Sequence, residues 1–291
     1  MKVLVFGEIL WDMIEGVPHL GGAPLNFAAH VKQCGYESGI VSCLGRDELG
    51  DKAFQMVSEL GVETKLIQRS DMRTGFVPVK LLNGQPDYEI VKDVAYDYIS
   101  EDQLDHFIIG AYDVFYFGSL IQRSPVSSES LNAILEKHQF KHVFYDVNLR
   151  KDSYTKEIII GSLERCTLLK VNDEEVEVLS QMLFNQILDF RAFCEHVTDQ
   201  WPQISTIVIT AGGDGCMVYW DGNFKVIPTN PIEVVDTVGA GDSFSAAFLC
   251  TLYKTGDPVQ AAQVANKVGA FVASSHGPIP RYSEEVMGLF A

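Results

Sequence analysis

The chain has 291 residues, 47% of them hydrophobic and 21% charged, a balance that fits a globular protein of one large or two ordinary domains. Its formal net charge of −17 argues against nucleic acid and anionic membranes as partners, since both need clustered Lys and Arg, and no stretch is long enough to span a bilayer. The six cysteines form no C-x-x-C pair and lie mostly among apolar neighbours, as in the reduced core of a cytoplasmic protein.

Lys2-Val3-Leu4-Val5-Phe6 is too short for a signal h-region, meets Gly7-Glu8 at once, and reads as a buried first strand from Val3 to Phe6. Asp12 follows in a short segment that ends at Leu20-Gly21-Gly22-Ala23-Pro24-Leu25-Asn26. Pro24 suits the first turn of a helix, and Gly35 ends that helix. Gly21 and Gly22 let a ligand approach the backbone closely. Asp12 and Asn26 bracket that approach with an acceptor and a mixed donor/acceptor, a set suited to the neighbouring hydroxyls of a sugar. Read alone, Asn26 fits a helix-packing amide equally well, and Asp12 a loop carboxylate.

Ile40 to Leu44 is a predicted strand, and a helix near Glu48 to Leu60 ends at Gly61. Phe76 to Leu82, Asn83-Gly84 and Tyr88 to Val91 then read as a hairpin around an Asn-Gly turn. Beyond it, strands at Val114 to Phe117, His142 to Val147, Leu168 to Val171 and Thr206 to Ile209 alternate with helices near Ser128 to Lys137, Lys156 to Leu163, Glu174 to Leu183 and Leu188 to Thr198. That alternation predicts an α/β fold with a doubly wound parallel sheet and ligands at the carboxyl ends of the strands. No linker, internal repeat or low-complexity stretch divides the chain, so 1–291 reads as one domain.

Three polar groups stand at strand ends. Asp146-Val147-Asn148-Leu149-Arg150 offers an acid, an amide and a guanidinium, or simply an Arg150–Asp146 surface pair. Lys170-Val171-Asn172-Asp173-Glu174-Glu175 sets Asn172 and Glu175 three apart at a helix start, where both could hold a water-rich Mg²⁺ or Asn172 could merely cap. Thr210-Ala211-Gly212-Gly213-Asp214-Gly215 is a glycine turn before a second hairpin strand, Cys216 to Tyr219.

Val234-Val235 reads as the end of a strand, followed by Asp236-Thr237-Val238-Gly239-Ala240-Gly241-Asp242 and a helix. Gly239, Ala240 and Gly241 leave backbone N–H groups bare at a helix N-terminus, which describes an anion hole. Asp242, ionised in the same turn, can accept a proton from a hydroxyl held between it and a phosphate, as an alcohol phosphotransferase requires. The plainer reading makes Asp242 a cap. A dinucleotide fingerprint fails because Phe244 stands where the third glycine belongs, and no G-x-x-x-x-G-K-[ST] occurs.

Asp236 to Asp242 resembles the C-terminal signature of the PfkB, or ribokinase-like, carbohydrate kinases, and Gly21 to Asn26 resembles their N-terminal signature. The resemblance implies a ribokinase-like, doubly wound, mostly parallel sheet flanked by helices, with a small β lid built from about 12–20 and 73–98 that often serves as a dimer contact. It implies Asp242 as catalytic base beside Gly239, Ala240 and Gly241, and a sugar held by Asp12, Gly21, Gly22, Asn26 and Arg150. Asn172 and Glu175 match an N-x-x-E motif that positions Mg²⁺. Lys170, Thr210, Gly212, Gly215 and Asn266 fall on the ATP side, with the Ser275-His276-Gly277 turn beyond them. Some members also bind a monovalent cation such as K⁺, which would map to Asp236 and Val238. Tyr88, Tyr96 and Tyr98 would offer a sugar an aromatic face or fill the lid core.

Gly21-Gly22-Ala23-Pro24, Asp146-x-Asn148-x-Arg150 and Val94 to Ile99 are similar to fructokinase-like members, so D-fructose is the expected acceptor. Tyr96 stands where tryptophan is more usual, which leaves ribose, 2-keto-3-deoxygluconate, a sugar phosphate or a nucleoside open. A sugar-binding regulatory protein is the alternative from another class, although a binder has no use for a base at an anion hole.

Overall fold

Residues Val3 to Phe6 are all fully buried, and their side chains enter two opposite core layers in alternation, Val3 and Val5 in one, Leu4 and Phe6 in the other. Only a strand covered on both faces does this. The computed structural model describes residues 1–290 apart from Glu15, Asn83, Gly84, Glu89 and Asp152, with backbone alone for Ile14 and residues 79–88.

The first part of the chain runs β1 (Lys2–Phe6), β2 (Leu10–Ile14), β3 (Val17–Gly21), α1 (Ala23–Gln33), β4 (Glu37–Gly45), α2 (Glu48–Glu59), β5 (Ile67–Ser70), β6 (Gly75–Leu82) and β7 (Gln85–Tyr88). It continues through α3 (His106–Ile109), β8 (Val114–Gly118), α4 (Pro125–Lys137), β9 (His142–Asp146), α5 (Lys156–Leu163), β10 (Leu168–Asn172), α6 (Asp173–Phe184) and α7 (Phe190–Gln200). β11 (Thr206–Thr210), β12 (Cys216–Trp220), β13 (Asn223–Ile227), α8 (Ala240–Thr255), α9 (Pro258–Ala273) and α10 (Glu284–Gly288) complete it.

The main sheet has nine strands in the order β13-β12-β11-β10-β9-β8-β1-β4-β5. All pairs from β5 to β11 are parallel, and β12 and β13 add an antiparallel edge. Phe27 of α1, Ala53 of α2, Phe248 of α8 and Val264 of α9 fill one layer, and Leu131 of α4, Ile159 of α5, Leu179 of α6 and Phe193 of α7 fill the other. The chain leaves β1 on one side through β4 and β5 and returns on its other side at β8. A crevice therefore opens at the carboxyl ends of β1 and β8, where doubly wound sheets bind ligands.

A separate four-stranded sheet, β3-β2-β6-β7, leads straight out of β1. Asp12 is thus a strand residue opposite His19, and the segment before Gly21 is a hairpin arm rather than a loop. The small sheet ends at Tyr88, short of the expected 98. Ala95 to Tyr98 instead form a short 3₁₀ turn, and Val94, Ala95 and Tyr96 pack into the main core. Tyr96 is fully buried and offers no face to a ligand. The second hairpin arm is Gln85 to Tyr88, where Pro86 suits an edge strand. The Asn83-Gly84 turn and the Tyr88 side chain lie outside the described residues.

Val234 and Val235 are not in a strand. Both are exposed, and the Val235 and Asp236 N–H groups donate to the Ala273 carbonyl at the end of α9, at 2.9 and 3.2 Å. The free side of β13 takes no strand among the described residues, and Val234 and Val235 stay in the connection to α8, tied to the end of α9. All six cysteines are buried and free, and among the described residues no helix is long and apolar enough to cross a membrane.

Arg123, which the sequence reading did not single out, anchors the crossover from the small sheet. Its guanidinium grips Asp97 at 2.8 and 2.9 Å, donates to the Tyr96 hydroxyl at 2.9 Å and the Val91 carbonyl at 2.6 Å, and is nearly buried. Breaking a buried pair by removing one partner leaves an uncompensated charge. Arg123→Met should therefore lower unfolding free energy by about 3–5 kcal/mol in urea titrations. A loss below about 1 kcal/mol would show that the crossover does not depend on this pair.

Candidate active site

Asn26 lies one turn into α1 and Asp242 at the start of α8, and these helices pack against each other on the same face of the sheet. Asn26 Nδ2 donates to Asp242 Oδ2 at 2.8 Å. The Asp242 carboxyl is half-buried at the cleft floor. Burial pushes its pKa up to about 6, with the Asp146 charge adding to the rise and the Asn26 hydrogen bond, Lys170 and Arg150 opposing it.

Gly239 holds the N-cap of α8 at φ 81, a left-handed conformation suited to glycine, and a Cβ there would press on the Pro278 carbonyl oxygen. The N–H groups of Gly239, Gly241 and Asp242 have no protein acceptor among the described residues, whereas Ala240 N–H donates to Thr237 O at 3.2 Å. So the turn offers three bare donors, and Ala240 serves it by small size rather than by its N–H. Lys170 Nζ lies 3.7 Å from where a Gly241 Cβ would be, which brings a positive charge to the same point.

Lys170 is held by Asp146, Nζ to Oδ1 at 3.0 Å, with both groups buried. Asp146 also accepts from Ser245 Oγ at 2.8 Å and Tyr116 OH at 3.2 Å. Burial works against the Lys170 charge, but Asp146, Glu175 and Asp242 outweigh it and raise the pKa, so the ammonium stays protonated. The Arg150–Asp146 surface pair is not formed: Asp146 is 1% exposed and engages Lys170, while Arg150 is exposed and its charge acts on Asp12, Glu8 and Asp242.

Asp12 sits against Gly21, where a Cβ would lie 2.8 Å from Asp12 Oδ2, and Gly22 holds φ 112 with its Cβ position 2.6 Å from the Glu8 carbonyl. Both glycines are therefore required by close approach. Burial raises the Asp12 pKa, opposed by Arg150 and His19.

Asn172 and Glu175 form a capping box at α6. Glu175 accepts the N–H of Asn172 at 2.8 Å and of Leu149 at 2.7 Å, while Asn172 Oδ1 accepts Glu175 N–H at 2.7 Å. With these atoms engaged, the pair fits a hydrated Mg²⁺ held through water and not a direct cage, and among the described residues no cluster of His, Cys, Asp or Glu could hold a metal. Asp236 accepts Val238 N–H at 3.0 Å and Gly277 N–H at 3.3 Å. One carboxylate and the Val238 carbonyl are too few oxygens for a K⁺ shell by themselves.

On the far side of the anion hole, Thr210 ends β11, and Gly212 and Gly213 stand open, with nothing near their Cβ positions. Gly215, at φ 93, closes on Ile227 and Pro228. Asn266 is buried, and its amide donates to Ile227 O at 3.1 Å, so it ties α9 to β13. A surface groove elsewhere, at the amino ends of β1 and β4, is lined by Lys2, Glu37, Glu63 and Tyr112.

His30, also unremarked in the sequence, bonds the Pro278 carbonyl through Nε2 at 2.9 Å and the Tyr282 hydroxyl through Nδ1 at 2.8 Å. Gln33 adds bonds to Pro280 O and Tyr282 N. α1 thereby fastens the loop that packs on Gly239.

The profile of the pfkB family carbohydrate kinases matches residues 6–285. The chain is 27% identical over 315 residues to fructokinase-1 of Zea mays, with 97% of this chain and 95% of the maize protein covered. The structure of fructokinase with bound ATP from Xylella fastidiosa superposes with a TM-score of 0.88 at 23% identity, over 99% of this chain and 97% of that one. Aminoimidazole riboside kinase from Salmonella enterica, solved with aminoimidazole riboside and an ATP analog, gives 0.83 at 23% identity over 100% of both chains.

Gly239→Ala should cost about 1–3 kcal/mol of stability through the left-handed φ and the Pro278 contact, and weaken nucleotide binding, read by denaturation and by calorimetry. Unchanged binding would separate the turn from phosphate recognition. For His30, burial pushes the pKa down to about 4 from the ordinary 6.5, with the Pro278 bond opposing. Protons then bind the unfolded chain better, so this contribution is complete above pH 6.5 and is lost as pH falls toward 4. His30→Gln should flatten melting temperature against pH in that window, whereas an unchanged slope would assign the acid limb to other groups.

Proposed function

Because the chain belongs to the pfkB family of carbohydrate kinases, we propose that it transfers the γ-phosphoryl group of ATP to a primary hydroxyl of a sugar, with D-fructose giving fructose 6-phosphate as the expected reaction. The observation that carries this reading is the Asn26–Asp242 pair beside the three bare N–H groups of Gly239, Gly241 and Asp242. A base next to an anion hole suits transfer between a hydroxyl and a phosphate. D-fructose is supported by the name of the maize relative and by the Asp146-x-Asn148-x-Arg150 strand end.

In this mechanism Asp12, Gly21, Gly22, Asn26 and Arg150 hold the sugar. Asp242 takes the hydroxyl proton as the oxygen bonds to the γ-phosphorus, and the bond to the leaving oxygen of ADP breaks. The three N–H groups and the Lys170 ammonium stabilise charge on the transferring group in a site that needs no rearrangement to receive it. Thr210, Gly212 and Gly215 border the nucleotide, and Asn266 acts behind them by holding α9. Asn172 and Glu175 would hold a hydrated Mg²⁺ through water, and the ion would supply charge neutralisation at the phosphates. Closure of the small sheet would exclude water and so suppress ATP hydrolysis. A homodimer through that sheet, whose edge strands β3 and β7 each have an unpaired side, and a cytoplasmic location belong to the same reading.

Asp242→Asn should lower kcat by about 10²–10⁴ while sugar binding persists. Retained turnover would favour the binding-protein alternative or another base. In the parent enzyme, Asp242 must be ionised to act, so kcat/KM should fall below about pH 6, the value to which burial raises this carboxyl. A limb near the ordinary 3.8 would place the essential base elsewhere. ADP release measured against fructose, ribose, 2-keto-3-deoxygluconate, sugar phosphates and nucleosides identifies the acceptor.

A further inference from the structure

A small pocket opens at the switch point of the sheet, between the carboxyl ends of β1 and β8, lined by Glu8, Pro24, Tyr116, Ser119, Asp146 and Asn148. Most of its polar groups are engaged. Tyr116 donates to Asp146, Ser119 Oγ bonds the Val147 carbonyl and the Tyr145 hydroxyl, each at 2.6 Å, and Asp146 is held by Ser245 and Lys170. Glu8 differs. It is 5% exposed, yet among the described residues nothing donates to its carboxyl except its own backbone N–H. The Asn148 amide likewise has no partner among the described residues, and its backbone holds φ 43, a left-handed conformation that Asn tolerates. Buried polar groups are normally hydrogen-bonded, so the buried Glu8 carboxyl, with the half-buried Asn148 amide beside it, marks where a ligand completes the set.

We propose that Glu8 and Asn148 are a hydroxyl-recognition pair that receives one hydroxyl of the acceptor in this pocket and makes the cleft select a neutral polyhydroxy compound over a sugar acid or sugar phosphate. The proposal rests on the kinase reading for its location and goes beyond it in substrate class. Glu8 lies directly beneath Gly22, so a ligand close to the double glycine is within reach of it. The carboxyls of Glu8, Asp12, Asp146 and Asp242 surround this end of the cleft. Against them stand Lys170, paired with Asp146, and Arg123, committed to Asp97, which leaves Arg150 as the cation acting on Glu8, Asp12 and Asp242 together. A second anion in that setting meets repulsion, while a hydroxyl finds an acceptor in Glu8 and both donor and acceptor in Asn148.

The test uses the full chain at pH 8, above the value of about 7 to which burial pushes Glu8. Binding of fructose, its singly deoxygenated analogues, ribose, 2-keto-3-deoxygluconate and fructose 1-phosphate is measured by calorimetry without ATP, alongside turnover. Glu8→Ala should weaken neutral acceptors about ten- to a hundredfold, as expected for hydrogen bonds to a charged group. The near-isosteric Glu8→Gln should weaken them less, keep the melting temperature, and improve the two anions relative to fructose. Discrimination against one particular deoxy analogue should vanish in Glu8→Ala and persist for the others, which a purely structural role would not produce. Asn148→Ala should repeat the pattern more weakly. Neutral-acceptor affinities within threefold of the parent in both Glu8 variants, or equal losses for every analogue and anion, would overturn the proposal. If sugars bind in this Glu8-dependent way while nothing is phosphorylated, the kinase reading fails and the recognition pair stands. If no acceptor binds or reacts, both fall.

Discussion

The hydrogen bond from Asn26 to Asp242 joins residues 216 positions apart, and the rest of the site depends on it. It forms only because α1 and α8 lie side by side on one face of a sheet whose middle strand is β1. Gly7 makes room for Pro24, Gly22 rests on the Glu8 carbonyl, and His30 and Gln33 bind the loop that packs on Gly239. One helix therefore positions the amide that bonds Asp242 at its first turn and braces the Gly239 turn from its last turn. A displacement of α1 would disturb both halves of the reaction at once.

The second constraint is electrostatic. Glu8, Asp146, Lys170, Glu175 and Asp242 share a poorly solvated region at the strand ends, where the Asp146 charge pushes the Glu175 and Asp242 carboxyls up and the Lys170 ammonium works against that rise. Lys170 stays cationic because Asp146 pairs with it, and its charge helps keep Asp242 from rising further. Ser245 and Tyr116 satisfy the remaining side of Asp146. A buried charge pair contributes little net stability, so its place here is better understood as holding an ammonium ready beside Gly241. Carboxyl pKa values displaced in different degrees by one environment are the pattern expected where protons are moved.

Much of the fold was legible in the chain. Strands such as β1, β8 and β11 are continuous apolar runs because both faces are covered, and the helices between them show caps and stops at Asp47, Gly61, Asp257 and Gly256. Edge elements were harder to see. Gln85 to Tyr88 is polar, carries Pro86 and pairs on one side only, while Val234 and Val235 look strand-like but have no neighbour to pair with. The reach of the small sheet was overdrawn because the resemblance carried the lid to about residue 98, whereas Arg123 and Asp97 draw that crossover into the main core.

For the site, sequence alone determined the local devices: the positive-φ glycine before α8, the carboxylate three residues on, the double glycine before α1, and the acidic and amide groups at strand ends. Each follows from backbone geometry within a few residues, so spacing is enough to reveal it. Which groups meet was decided only by the tertiary structure. It pairs Asp146 with Lys170 instead of Arg150, turns Asn172 and Glu175 into each other's caps, commits Asn266 to the Ile227 carbonyl, and leaves the buried Glu8 carboxyl, among the described residues, with no donor but its own backbone N–H. Those outcomes depend on long-range packing that fixes desolvation and neighbouring charge, and no local pattern encodes either quantity.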